Sequence, residues 1–172
     1  MANTYELIQA VTLSSDTATV TFSSIPSTYT DLELLVSARV DRTGTSVNMG
    51  LRFNGSSSNY TQRALVSYGS TVDSLFSTAL DQFGYWYSPG NGATASTFSN
   101  QSVYISNYAS SSYHKSISID STSEHNGTDT NLLLFAGLWE NTAAITSIAL
   151  SNYQGSNLKS GSTFYLYGIK NS

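Results

Sequence analysis

A two-residue rhythm runs through this chain and leaves few folds open to it. Over residues 17–22, Ala18, Val20 and Phe22 fall on one side and Thr17, Thr19 and Thr21 on the other. Residues 31–40 set Leu32, Leu34, Val36, Ala38 and Val40 against Glu33, Leu35, Ser37 and Arg39. Residues 46–53 set Val47, Met49, Leu51 and Phe53 against Asn48, Gly50 and Arg52. Successive side chains of a strand point to opposite faces, so this period marks antiparallel strands with one face on a core and one on water. Further strands are expected over 5–13, 60–68, 83–88, 102–108, 114–122, 130–139, 144–151 and 162–170. About ten short strands at this spacing predict a single all-β domain, an antiparallel sandwich or barrel. Only two stretches leave room for a turn or two of helix: 72–80, where Val72, Leu75, Phe76 and Leu80 approach helical spacing, and 141–145.

Turn residues punctuate the rhythm. Gly44, three residues after Asp41, reads as the positive-φ residue of a hairpin between two alternating runs, and Asn54-Gly55 starts a reversal into 60–68. Asn126-Gly127 is the strongest two-residue hairpin signal in the chain. Pro26 ends a strand because it cannot donate to a ladder. The stretch 88–93, with Pro89, Gly90 and Gly92, is expected to be the most mobile loop.

Composition narrows the function. Seven Lys plus Arg against eleven Asp plus Glu give a net charge of -4. That balance cannot build the basic stripe that phosphates require, so no nucleic-acid partner is expected. No apolar run approaches the ~20 residues of a membrane-spanning helix, and residues 1–6 lack the basic and apolar regions of a secretory leader. No membrane partner is expected. The chain has no cysteine, so its folding is indifferent to redox state. Asn54, Asn59, Asn100 and Asn126 head glycosylation-type triplets, which a chain rich in Ser, Thr and Asn produces by chance.

Catalytic chemistry finds little to stand on. His114 sits at a strand start with no nucleophile elbow in the sequence, and reads as a surface histidine. His125 shares one hairpin tip with Asp120, Glu124 and Asp129, where a cation could bind, but the spacing does not follow the EF-hand pattern and reads as a polar tip facing water. No two of the eleven acids are marked out as a glycosidase pair, and no Gly-rich phosphate cradle opens a helix. No catalytic, cofactor-binding or metal-ligating residue is predicted, and an enzyme is not expected.

The aromatics carry more information. Tyr85, Trp86 and Tyr87 are adjacent, and neighbours on a strand cannot face one core together. Either Trp86 is core with two amphipathic tyrosines at its rim, or aromatics face a partner. Exposed aromatics beside Asn and Ser suit stacking on sugars or anchoring a protein interface. Tyr165 and Tyr167 alternate with Phe164, Leu166 and Gly168, so one of the two faces is a candidate for burial by another subunit. Lysines are scarce on these strands, so charge does little to protect sheet edges. The edges are expected to be covered, either by first and last strands pairing with each other or by neighbouring subunits.

Five blocks follow in order: Phe22 to Val36 with its Ile25-Pro26 turn, Leu51 to Gly55, Val103 to Tyr108, Gly137 to Trp139 with Ala144 to Ile148, and Gly161 to Ile169. Together, over residues 5–169, they resemble a group of small proteins encoded among the virion structural genes of tailed bacteriophages, especially those of marine bacteria and cyanobacteria. The resemblance implies a non-enzymatic, jelly-roll-like virion component with no catalytic residues to carry over. A compact acidic chain without a fibrous segment favours a capsid decoration (cement) protein on the capsid surface. Its implied partners are the major capsid protein and further copies of itself, by analogy a trimer. The alternative is a tail- or fibre-associated module using Tyr85, Trp86 and Tyr87 on host glycans. The partner-facing surface is expected at residues 2–8, with Tyr5 and Leu7, and at residues 83–87.

Overall fold

The structure, a computed structural model, describes residues 4–170. Within them lie twelve strands and no helix: β1 (Tyr5–Thr12), β2 (Thr19–Phe22), β3 (Asp31–Ser37), β4 (Ser46–Phe53), β5 (Tyr60–Tyr68), β6 (Thr71–Leu80), β7 (Phe83–Pro89), β8 (Asn100–Ile105), β9 (Lys115–Ser123), β10 (Asn131–Trp139), β11 (Ile148–Asn152) and β12 (Thr163–Ile169). Every pairing is antiparallel, in an eight-stranded sheet of order β1-β12-β3-β8-β9-β10-β5-β6 and a four-stranded sheet of order β2-β11-β4-β7. The all-β sandwich read from the alternation is the fold.

Its topology is that of a jelly roll with two insertions. Setting aside β5–β6 and β9–β10 leaves the sheets β1-β12-β3-β8 and β2-β11-β4-β7. Renumbered along the chain, these run first-eighth-third-sixth and second-seventh-fourth-fifth, the strand order of the doubly wound Greek key. The inserted strands then extend the first sheet to eight. First and last strands do pair, Val11 standing opposite Phe164 and Leu7 opposite Tyr167.

Between the sheets lies one core. Leu32, Leu34 and Val36 of β3, Val103 and Ile105 of β8, and Ile117 and Ile119 of β9 face Met49, Leu51 and Phe53 of β4 and Trp86 of β7. An aromatic cluster closes one end: the Phe83 ring meets Phe53, Tyr60 and Phe135 edge-on, and Tyr60 stacks on Trp139. Gly137 stands beneath the Phe83 ring, and a Cβ there would meet the ring carbons of Phe135 at 2.8 Å. The small residue is what lets the aromatics close.

Several local expectations differ from the structure, two of them because a connection between layers was read as a turn within a sheet. The segment around Gly44 leads from β3 in the large sheet to β4 in the small one, and Asn54-Gly55, with φ of 52° and 68°, leads back again to β5. Both cross between layers, as Greek-key connections must. The tight two-residue hairpin is instead Gly69-Ser70 between β5 and β6, with Gly69 at φ 57° in the first central position, where a type II′ turn needs glycine. Asn126-Gly127 sits inside a loop from Glu124 to Thr130 that is longer because His125 folds inward and is buried. Residues 72–80 are strand: Val72 and Phe76 share the outer face while Leu75 packs on the core. The loop at 88–93, expected to be mobile, is fastened by Gly90 N–H to Thr45 O, Asn91 N–H to Arg42 O and Gly92 N–H to Gly44 O.

Candidate functional site

Sheet register aligns residues across the large sheet into rows on its outer face. One row runs Leu7, Tyr167, Glu33, Tyr104, Ser118, Ala136, Arg63, Phe76. The next runs Ala10, Tyr165, Leu35, Ser102, Asp120, Leu134, Leu65, Ser74. Two apolar clusters result, divided by the polar stripe of Ser116, Ser118, Asp120 and Thr122 on β9. The inserted half carries Leu65, Leu132, Leu134, Val72 and Phe76, each more than half exposed. Arg63 lies over the Phe76 ring, 4.2 Å from its centre. A shallow depression of about 420 Å³ opens between Leu65, Leu134, Ser118 and Asp120.

The jelly-roll half carries Tyr5, Leu7, Leu35 and Tyr104, with Tyr165 and Tyr167 half-buried among them. Tyr5 meets Tyr167 edge-on at 6.5 Å. Carboxylates thread between the rings: Tyr104 donates its hydroxyl to Asp31 Oδ2 at 2.6 Å, and Ser102 donates to Glu33 Oε1 at 2.9 Å. The Asp31 hydrogen bond, with some burial, pushes the Tyr104 phenol up to about 12. A folded-state pKa above the unfolded value near 10 means that the stabilisation is complete below pH 10 and is lost as pH climbs towards 12. In an ultraviolet titration of the folded protein, Tyr104 is therefore expected to ionise late, together with buried tyrosines such as Tyr60 and Tyr108, and Tyr104→Phe should lower the amplitude of that late phase by one tyrosine. Unchanged late titration in the variant would assign the phase elsewhere.

The structure divides the residues singled out in the sequence. Tyr5 and Leu7 stand exposed on the outer face, 53% and 51% accessible. Residues 2 and 3 of that stretch lie outside the described residues. Trp86 is fully buried, opposite Met49 in the core, and offers no face to a sugar or a partner. Tyr85 and Tyr87 are the half-buried rim. The reason is a bulge: Met49 pairs with Trp86 but Leu51 with Phe83, so β7 carries one extra residue there and Tyr85 takes a φ of 61°. The Tyr85 hydroxyl accepts from Ser77 Oγ at 3.1 Å, and the Tyr87 ring meets Tyr68 edge-on. The outer-face leucines of β5 and β10 were missed by the sequence reading, although their alternation with Ala64, Val66, Leu133 and Phe135 was visible.

The two histidines differ in burial. His114 is exposed. Buried His125 turns Nε2 towards both Ser46 Oγ, at 3.4 Å, and Asp129 Oδ1, at 3.5 Å. A serine–histidine–aspartate relay needs the serine and the carboxylate on different ring nitrogens, so this trio does not form one. Asp129 is held by Thr45 Oγ1, Ser46 Oγ donates to the Asp129 carbonyl at 3.1 Å, and Asn131 Nδ2 donates to Ser46 Oγ at 2.6 Å. These bonds pin the β9–β10 loop against the start of β4. Asp120 points from the sheet's outer face, and Glu124 accepts from Asn126 N–H, so the acids of this hairpin do not converge. Among the described residues no group of three or more His, Cys, Asp or Glu could hold a metal ion. No helix among them is long and apolar enough to cross a membrane.

No family model and no curated protein matches the chain. Among solved structures it aligns with the infectious bursal disease virus Gt strain at 9% identity, over 98% of this chain and 42% of that one, with a TM-score of 0.13. It also aligns with the infectious bursal disease virus VP2 subviral particle at 11% identity, over 97% and 42%, again with a TM-score of 0.13. The chain thus spans about two fifths of the viral chains it aligns with. A likeness at that score carries no argument about fold or function.

Proposed function

We propose that this protein is a non-enzymatic bacteriophage virion component, a capsid decoration protein that oligomerises and stabilises the head by binding the lattice of major capsid protein. The observation that supports this reading is the outer face of the large sheet. Large apolar side chains stand there in two clusters, and the depressions among those of the inserted half are open ones. Such a surface gains from being covered by another protein surface and offers little to a small substrate. A protein that binds the assembled lattice and not its dissociated subunits stabilises the lattice by mass action.

Particles lacking the protein are expected to rupture at lower temperature and milder osmotic shock than complete ones. Adding back the wild-type chain should restore them, whereas a Tyr5→Ser, Leu7→Ser double variant should restore them poorly. Equal robustness with and without the protein would reject the reading. So would a copy number per particle far below that of the major capsid protein.

A second reading, a tail- or fibre-associated carbohydrate-binding module, draws on the jelly-roll half alone. Tyr5, Tyr104 and Tyr167 there lie beside the half-buried Glu33, and aromatic faces beside a carboxylate suit a sugar. Glycan-array binding abolished by Tyr104→Ala in a folded protein would favour it over decoration.

A further inference from the structure

Two sheets present four edges, and three of them are blunted against strand addition. The β1 edge is broken by a bulge between Leu7 and Gln9 and carries the exposed Glu6–Lys170 ion pair. In the small sheet, β2 is only four residues long, while β7 is bulged at Tyr85 and ends on Pro89. β6 differs. It runs for ten residues at the end of the large sheet with a single charge, Asp73, no proline and no lysine, and its irregularity comes late, at Ala79, where φ is 55°. A long, regular, weakly charged edge is a template for another strand.

From the geometry we infer that β6 pairs with β6 of a second copy across a two-fold axis, extending the large sheet through the dimer. The register follows from the hairpin. Tyr68 and Thr71 flank its two-residue turn and pair with each other, so Thr71, Asp73, Leu75 and Ser77 turn their main-chain groups towards β5. Val72, Ser74 and Phe76 turn theirs to the open side. A two-fold centred on Ser74 sets it opposite Ser74 of the second copy, and sets Val72 opposite Phe76. Each such pair exchanges two main-chain hydrogen bonds. Val72 and Phe76, 67% and 56% exposed in one copy, then meet as β-branched and aromatic cross-strand neighbours, a favourable combination.

Charge agrees with this register. Asp73 falls opposite Leu75 of the second copy, so the strand's one charge never faces itself. Arg63, stacked over Phe76, lies one strand inward on the outer face, the face opposite to Asp73. A three-fold ring would have to join β6 to a different edge of the next copy, and each of those is bulged, short or charged. The strand pairing and its four large side chains reach only the low end of the ~1,200 Å² that specific interfaces bury, so the dimer is expected to come apart on dilution. This pairing stands whatever the outer face binds.

Light scattering and sedimentation on the full chain, between about 1 and 100 µM, should show the mass rising from that of one 18.5 kDa chain towards twice that value. Val72→Lys, which adds the charge that natural edges use, should stay monomeric at the top of the range with an unchanged circular-dichroism spectrum. The chain has no cysteine, so a single introduced one reports proximity. Hydrogen-bonded partners sit ~5.5 Å apart at Cα, within disulfide reach. Under mild oxidation Ser74→Cys should therefore form a covalent dimer at least about tenfold faster than Ser116→Cys on the polar stripe of β9. A monomer at every concentration, a trimer, or equal cross-linking at the two positions would overturn the proposal.

Discussion

Trp86→Ala is expected to cost about 3–5 kcal/mol of stability, the usual range for emptying a large aromatic site. The indole is fully buried, opposite an equally buried Met49, in the strand that closes the small sheet over the inserted half of the large one. Its Nε1 has no hydrogen-bond partner in the protein, so truncation forfeits packing and no hydrogen bond. For a domain of this size the loss corresponds to a melting temperature lower by roughly 10 °C. Urea and thermal unfolding would measure it. Tyr5→Ala provides the contrast: with 53% of that residue exposed, the change should stay within about 0.5 kcal/mol. A Trp86→Ala protein as stable as wild type would mean that the indole does not sit in the core. Loss of binding in this variant would otherwise report unfolding, so it cannot serve as a test of glycan recognition.

Period-two alternation made the strands legible because each faces one core. Ser46–Phe53 and Tyr60–Tyr68 coincide with the stretches expected, and Leu32, Leu34, Val36, Ala38 and Val40 all fall inside. β6 was hidden because it overhangs the small sheet: with little to bury, its Val72, Leu75, Phe76 and Leu80 follow no strict alternation. Layer changes were equally hidden. Gly44 and Asn54-Gly55 supply positive φ whether the chain reverses within a sheet or crosses between two, and only tertiary packing chooses. For Trp86, strand alternation posed the right pair of alternatives, but the choice depended on the bulge at Tyr85, which inserts one extra residue opposite Gly50 and cannot be read from local pattern. The outer-face clusters arise from register between strands distant in sequence. Leu65 and Leu134 become neighbours only because β5 pairs with β10.

Arg39 breaks its own pattern, and the break predicts the second large effect. Alternation places it outward at the end of the β3 run, yet it is 6% exposed and, among the described residues, in no ion pair. Its guanidinium is met by the loop after β7: Nη1 donates to Thr94 O at 2.9 Å and to Thr97 O and Thr97 Oγ1 at 3.0 Å, and Nη2 donates to Ala93 O at 3.1 Å. Burial pulls its pKa down from the usual arginine value, so the charge is held against a desolvation cost and carbonyl dipoles must offset it. Charge-assisted hydrogen bonds contribute about 1.5–3 kcal/mol each at most, and carbonyls left buried and unpaired cost further. Arg39→Ala is therefore expected to lose about 2–4 kcal/mol. Arg39→Lys should recover only part of it, because one ammonium cannot span both sides of the fork. The damage should be local first. Amide exchange at Gly92 and Ser99, which donate to Gly44 O and Ala38 O, should accelerate well before that of β3 and β8. Wild-type exchange at those two amides in the alanine variant would show that the loop is held by its main-chain bonds alone.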